Sequence, residues 1–175
     1  MMMQEQMSKQ NIKNGFNQGS VSEKVIQFLN FELSNEVYGI NILNIKEIID
    51  FGNITPVPMM PSFIAGVVNL RGSVVPVVDL ALRFGKKKSA ITKRTSVVIV
   101  EVKDEDGALE IGITVDEVNE VLDILSDEIN PTPSFGTKIR TDFISGMGKV
   151  NDKLLVLLDV DTILSIDELS RLDDL

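Results

Sequence analysis

The chain reads as an all-β protein of two related small barrels packed together, with short helices and a helical C-terminal end. Three observations predict this. Short apolar runs with strand alternation are separated by Gly, Pro, Asn, Asp and Ser, the punctuation of β-rich folds. The same order of runs, turns and Pro-rich connections then comes round a second time. Each round takes about 60–70 residues, the size of a four- to five-stranded barrel whose closure hides the edges of short strands.

The elements follow in order. Residues 1–22 are expected to be a flexible tail: Met, Gln, Asn, Ser and Lys dominate, and Ile12, Phe16 and Val21 follow no period. In residues 25–33, Leu29, Phe31 and Leu33 alternate with Asn30 and Glu32, and 37–42 return as a second strand after the Ser34-Asn35-Glu36 turn. Ile42, Ile45, Ile48 and Ile49 stand near helical spacing, which predicts one or two helical turns with a core-facing side. Pro56, Pro58 and Pro61 stop that helix and force extended backbone. Residues 64–70 and 74–80 make a hairpin around Arg71-Gly72, with Pro76 placing its strand at an edge or a bulge.

The second round begins with strands at 95–102 and 108–115, joined by a polar turn. Val118, Val121 and Leu122 predict its short helix, and Pro131 and Pro133 its connection. Strands at 144–150 and 153–158 form its hairpin at Asn151-Asp152. In the helical tail that follows, Ser165 and Glu168 have the spacing of a capping box.

The recurrence holds residue by residue. A shift of 73 sets Tyr38-Gly39-Ile40 on Ile111-Gly112-Ile113, and Ile45, Glu47, Ile48, Ile49 and Asp50 on Val118, Glu120, Val121, Leu122 and Asp123. A shift of 80 sets Phe63-Ile64 and Gly66 on Phe143-Ile144 and Gly146, and Asp79 on Asp159. Two blocks in one order, with Pro-x-Pro between them in each half, identify a duplication covering about 25–84 and 95–164. Units this small bury little core alone and are expected to pack on each other. Whether they exchange strands is open. The domain reading is a tail at 1–22 followed by one paired-barrel unit at 23–175.

Composition narrows the chemistry. A hydrophobic fraction of 43% with 25% charged residues is that of a globular protein. There is no Cys and no His, which removes disulfides, thiolate and imidazole metal ligands, Cys nucleophiles and His-based triads. A net charge of −9 lacks the basic stripe that nucleic acid needs and disfavours anionic membranes. No apolar run nears the roughly 20 residues that span a bilayer, and a cytoplasmic location is expected. The basic stretch from Arg83 to Arg94 reads as a solvated loop between the two copies.

Candidate sites are few. Asn69-Leu70-Arg71-Gly72 ends one strand and opens the next, with Gly72 expected at positive φ. Arg71 at its tip is either a solubilising residue or presented to a groove. Glu47 lies on the expected short helix of the same unit, where an arginine on the neighbouring hairpin could reach it, as a surface ion pair or as a brace beside a binding surface, and the sequence does not decide whether they meet. Asp79 and Asp159 could be a catalytic carboxylate pair, which requires one shared cleft; their duplicate positions instead predict two helix N-caps. A small ligand-binding or carboxylate-dependent hydrolytic barrel is accordingly the alternative function.

The assembled motifs resemble the CheW family of bacterial chemotaxis coupling proteins over residues 25–164. The resemblance is carried by Tyr38-Gly39-Ile40, by Ile45-Lys46-Glu47-Ile48, by the run from Phe63 through Asn69-Leu70-Arg71-Gly72, and by Val74-Val75-Pro76-Val77-Val78-Asp79-Leu80. In the second half it rests on Gly112-Ile113, Val115-Asp116-Glu117-Val118, Phe143-Ile144 and Gly146. It implies two SH3-like five-stranded barrels and a non-enzymatic adaptor without a cofactor. The implied partners are the cytoplasmic signalling tips of chemoreceptors and the regulatory domain of the chemotaxis histidine kinase, with no membrane insertion of its own. It places receptor binding at Glu47, Ile48, Asn69, Leu70, Arg71 and Gly72, and marks no kinase-facing residue. The copies differ at the hairpin tip, Arg71-Gly72 against Asn151-Asp152. Only the first can set a cation near its glutamate, so the first copy is expected to carry the receptor side.

Overall fold

Turn chemistry fixes the hairpins. In the computed structural model, which describes residues 24–134 and 136–172, Ser34 and Asn35 (φ 51° and 65°), Arg71 and Gly72 (52° and 84°) and Asn151 and Asp152 (50° and 62°) all take positive φ. These are two-residue turns of the type whose twist matches the flanking strands. They join β1 (Val25–Leu33) to β2 (Glu36–Asn41), β4 (Ile64–Leu70) to β5 (Ser73–Val78), and β9 (Ile144–Val150) to β10 (Lys153–Leu158). A fourth hairpin joins β6 (Ser96–Asp104) to β7 (Gly107–Val115). The tail expected at 1–22 lies outside the described residues.

Two expected helices are strands. Only Ile42–Asn44 makes a single 3-10 turn, and β3 (Ile45–Asp50) follows it. In the second copy the corresponding segment is β8 (Glu117–Leu125). The isoleucines of β3 fit both periods, and the strand wins because β-branched residues suit a pleated surface and a partner is available. Each of β3 and β8 pairs antiparallel with the long first strand of the other copy, β6 and β1 respectively.

The sheets therefore do not follow the sequence halves. One runs β8-β1-β2-β10-β9 and the other β3-β6-β7-β5-β4, so each five-stranded barrel takes strands from both copies. The first is called the A barrel and the second the B barrel. Equivalent short parallel pairings join the hairpins: Leu157 opposite Gly39 in A, and Val77 opposite Gly112 in B. Equivalent bridges bring the far edges round, Asn130 to Met147 in A and Thr55 to Val67 in B. The strand that carries Pro76 is not at an edge, since β5 lies between β4 and β7; Pro76 opposes Val67 of β4 and stands just before the β5–β7 pairing, which starts at Val77, so it precedes the stretch in which β5 is paired on both sides.

Each barrel interior is small. Phe28, Ile124, Leu155 and Leu157 fill A, and Val68, Val75, Val77, Val97 and Ile99 fill B. The largest core lies between the barrels and draws on both sheets. An aromatic row runs through it: Phe31 to Tyr38 at 5.9 Å, Tyr38 to Phe84 at 5.5 Å and Phe84 to Phe143 at 5.8 Å. Burial pushes the Tyr38 hydroxyl up to about 12, and Lys86 Nζ donates to it at 3.2 Å. The shared core is what lets two units of this size form one stable body.

Short helices cap the barrels. Asp79 Oδ1 accepts from Leu82 N at the start of α1 (Leu80–Arg83), and Asp159 Oδ1 from Thr162 N at the start of α2 (Val160–Ile163). Both are the N-caps expected of them. Asp79 is buried, so Asp79→Ala should lower stability by about 1–2 kcal/mol, read by urea denaturation; unchanged stability would contradict the cap assignment. Helix α3 (Ile166–Leu172) follows, with Ser165 Oγ accepting from Glu168 N at 3.5 Å. The Glu168 side chain does not complete a capping box. It reaches instead to Arg140 and, at 3.1 Å, to Nη2 of buried Arg83. No described helix is long and apolar enough to cross a membrane.

Candidate functional site

The B barrel's open end is built by β3 and the β4–β5 turn. The register slips between Ile45 and Glu47, a bulge that re-aims the residues after it. Ile45 and its partner Val100 belong to the core between the barrels. Past the bulge Glu47 faces Ile99, a residue of the barrel interior, and Ile48 faces Val98, a residue of the core between the barrels. Glu47 and Ile48 are thus turned to opposite faces, as successive strand residues must be.

The turn completes the end. Asn69 Oδ1 accepts from Gly72 N at 3.2 Å, bracing the tip from within. Leu70 packs on the barrel interior. Arg71 holds a left-handed φ of 52° that a side chain bearing residue adopts only at some cost, and the conformation carries its guanidinium back over β3. Arg71 Nη1 lies 3.3 Å from Glu47 Oε1. The contact is an ion pair without hydrogen-bond alignment, since Glu47 Oε1 is shielded from solvent yet has no hydrogen-bond partner. With the Arg71 side chain 69% exposed and that of Glu47 32% exposed, the pair is worth about 0–1 kcal/mol. It orients the tip more than it stabilises the fold.

Of the six residues read as the receptor side, Glu47, Asn69, Leu70, Arg71 and Gly72 come together at this end. Ile48 does not join them. Its side chain, 44% exposed, lies on the outer face beside the seam between the barrels.

The A barrel's corresponding end is different. Glu120 stands where Glu47 does, but the tip beside it is Asn151-Asp152, and among the described residues no cation lies within ion-pair distance of Glu120. The alternative built on Asp79 and Asp159 has no support: each is engaged in its own cap after a strand of a different sheet, and the small cavity that Asp79 lines does not include Asp159.

A second group of residues went unseen in the sequence. The Arg83 and Arg140 guanidiniums lie 4.7 and 4.4 Å from the Phe143 ring centre, and Glu168 bridges the two cations. Arg140 also clasps Asp142 through two hydrogen bonds, at 3.0 and 2.6 Å. Hydrogen bonding from Arg140 holds the carboxyls of Asp142 and Glu168 below their ordinary values. No short motif announces this cluster, because its members come from three separate segments, around residues 83, 140–143 and 168.

Fold and site together define an all-β protein of two paired five-stranded barrels with the Glu47–Arg71 pair at the end of one of them. The comparisons with known proteins agree. The model of the CheW-like domain matches residues 27–168. The chemotaxis protein CheW of Klebsiella aerogenes is 35% identical over 148 residues, 85% of this chain and 87% of that one. The chemotaxis protein CheW of Helicobacter pylori is 36% identical over 146 residues, 83% of this chain and 86% of that one. The crystal structure of the scaffolding protein TtCheW from Thermoanaerobacter tengcongensis superposes with a TM-score of 0.72 at 32% identity, covering 86% of this chain and 92% of that one. The chain belongs to the CheW-like domain family.

Proposed function

We propose that this chain is a non-enzymatic chemotaxis adaptor. It couples the cytoplasmic signalling tips of chemoreceptors to the regulatory domain of the chemotaxis histidine kinase, and it works in the cytoplasm within receptor arrays. Membership of the CheW-like domain family supports the role, and the names of its relatives, chemotaxis proteins and a scaffolding protein, point the same way. The receptor side is assigned to the end of the B barrel formed by Glu47, Asn69, Leu70, Arg71 and Gly72, with Ile48 on the adjoining outer face.

One observation carries that assignment: the Glu47–Arg71 pair holds an exposed hairpin tip in a strained turn while adding little stability. Among the described residues, Glu120, which matches Glu47 in the other barrel, has no such partner. A costly local arrangement with a small return to the fold is one that function maintains.

The expectation is that Arg71→Ala and Glu47→Lys each weaken binding to a purified receptor signalling tip by about fivefold or more, the loss typical of an interface residue that matters. The thermal midpoint should fall by no more than a few degrees, since the ion pair contributes so little. Titration calorimetry with both variants checks this. Parent-like affinity in both would remove the receptor role from these residues.

A further inference from the structure

We infer that the Arg83–Arg140 pair is an oxyanion-binding site, and that Glu168 of α3 occupies it as a built-in plug which a free phosphate-type anion displaces. Its residues are separate from the receptor side, and the inference does not rest on the adaptor reading.

The two guanidiniums are fixed without Glu168. Arg83, in the last turn of α1, donates from Nε to the Ile163 carbonyl at 2.7 Å. Arg140 donates from Nε and Nη2 to the Asp142 carboxylate at 3.0 and 2.6 Å. Both cations stand over the buried Phe143 ring, 4.7 and 4.4 Å from its centre, a platform that holds a guanidinium and leaves its N–H edge able to bind. Those edges converge. Arg83 Nη2 and Arg140 Nη1 both contact Glu168 Oε1, and Arg140 Nη2 donates to Oε2 at 3.3 Å. A site braced by contacts other than those of its occupant keeps its shape when the occupant leaves.

Glu168 fills the site imperfectly. The Arg83 side chain is 4% exposed, yet its Nη2, 3.1 Å from the carboxylate, has no hydrogen-bond partner among the described residues. Arg140 engages both carboxylate oxygens, whereas a tetrahedral oxyanion brings further acceptors that one ion can offer to Arg83 as well. With Glu168 withdrawn, two cations face the carboxylate of Asp142, and the site is left positive. The Arg140 side chain is 47% exposed, so an anion enters from its side and meets Arg83 at the floor.

The plug is carried on a segment suited to move. Helix α3 has seven residues, too few to persist without tertiary support. None of residues 166–171 is fully buried, and Leu169 is its apolar anchor on the core between the barrels. A peripheral segment of this kind opens locally before the whole fold does. The apparent affinity of the site beneath it then scales with the open fraction.

The test titrates inorganic phosphate into the full ¹⁵N-labelled chain, against sodium chloride at matched ionic strength, and reads the side-chain Nε–Hε resonances of Arg83 and Arg140. Glu168→Gln keeps the shape of the plug and removes its charge, so phosphate should bind it about tenfold more tightly than it binds the parent, the effect of one charge-assisted hydrogen bond. Leu169→Ala leaves the plug and both arginines in place and loosens only the helix; it too should bind phosphate more tightly than the parent does. By reciprocity, phosphate should speed hydrogen exchange at the amides of residues 166–171 in the parent and leave those of β6 unchanged. Arginine resonances that stay in place in Glu168→Gln at tens of millimolar phosphate overturn the inference. So do equal midpoints in the parent and both variants, which would make Glu168 a structural brace only, or shifts that chloride reproduces.

Discussion

Replacing Gly66 by alanine should destabilise the protein by about 2–3 kcal/mol, lowering the thermal midpoint by roughly 5–10 °C for a chain of this size. Gly66 lies in β4 beside the bridge that closes the B barrel. A Cβ there would come within 2.5 Å of the Thr55 carbonyl oxygen and 2.6 Å of Ile54 Cγ2. The carbonyl cannot retreat freely, because Thr55 and Val67 exchange hydrogen bonds of 2.8 and 2.9 Å across the closure. Relief therefore requires opening the barrel. Its duplicate Gly146 is a control within the same molecule: a Cβ there meets the Ile129 Cγ2 methyl at 2.7 Å, and the nearest backbone atom, Asn130 O, stands at 3.2 Å. Gly146→Ala should cost about half as much, since a side chain yields more easily than a hydrogen-bonded backbone. Calorimetric scans of both variants test the order, and an equal or reversed ranking would contradict this account of barrel closure.

Removing Glu168 should have an effect of similar size for an electrostatic reason. The Arg83 side chain is only 4% exposed, and its Nη2 has no hydrogen-bond partner beyond the 3.1 Å ion pair with Glu168. Its Nε donates to the Ile163 carbonyl at 2.7 Å. Glu168→Ala leaves a buried cation uncompensated, at a cost of about 2–3 kcal/mol, less than for a wholly buried pair because Glu168 is partly exposed. The double variant Arg83→Met/Glu168→Ala should recover part of this, since it removes the orphaned charge. Acid should act on the same contact. The folded-state pKa of Glu168 is held below its ordinary 4.5 by Arg140 first and Arg83 also. Its contribution is present above 4.5 and is lost as pH falls through the depressed folded value. The stability gap between parent and Glu168→Gln, measured by denaturant titration, should be full at pH 7 and shrink below 4.5. A gap that stays constant to pH 3 would contradict the assignment.

Much of the architecture was legible because it is local. The turns at Ser34-Asn35, Arg71-Gly72 and Asn151-Asp152, the caps at Asp79 and Asp159, and the register of the two copies are all written in short segments. The path of the strands was not. Ile45-Lys46-Glu47-Ile48-Ile49 satisfies both helical and strand spacing, and only the long partner β6, some fifty residues on, decides for a strand. Exchange of strands between barrels has no local signature either, since β1 and β6 offer similar edges. At the site, sequence placed Glu47 and Arg71 in one region, and the bulge after Ile45 determined that they meet. The same bulge turned Ile48 away. The Arg83–Glu168–Arg140 bridge joins segments far apart in the chain, where single-sequence patterns carry no information.

The proposed link from receptor to kinase runs through the end of the B barrel. It is tested most directly by kinase autophosphorylation in a reconstituted mixture of receptor signalling tips and kinase, with the parent chain, with Arg71→Ala, or with none. The parent should raise receptor-dependent autophosphorylation, and Arg71→Ala, folded and present at the same concentration, should restore little of it. Autophosphorylation that is indifferent to the chain, or equal for parent and Arg71→Ala, would contradict it.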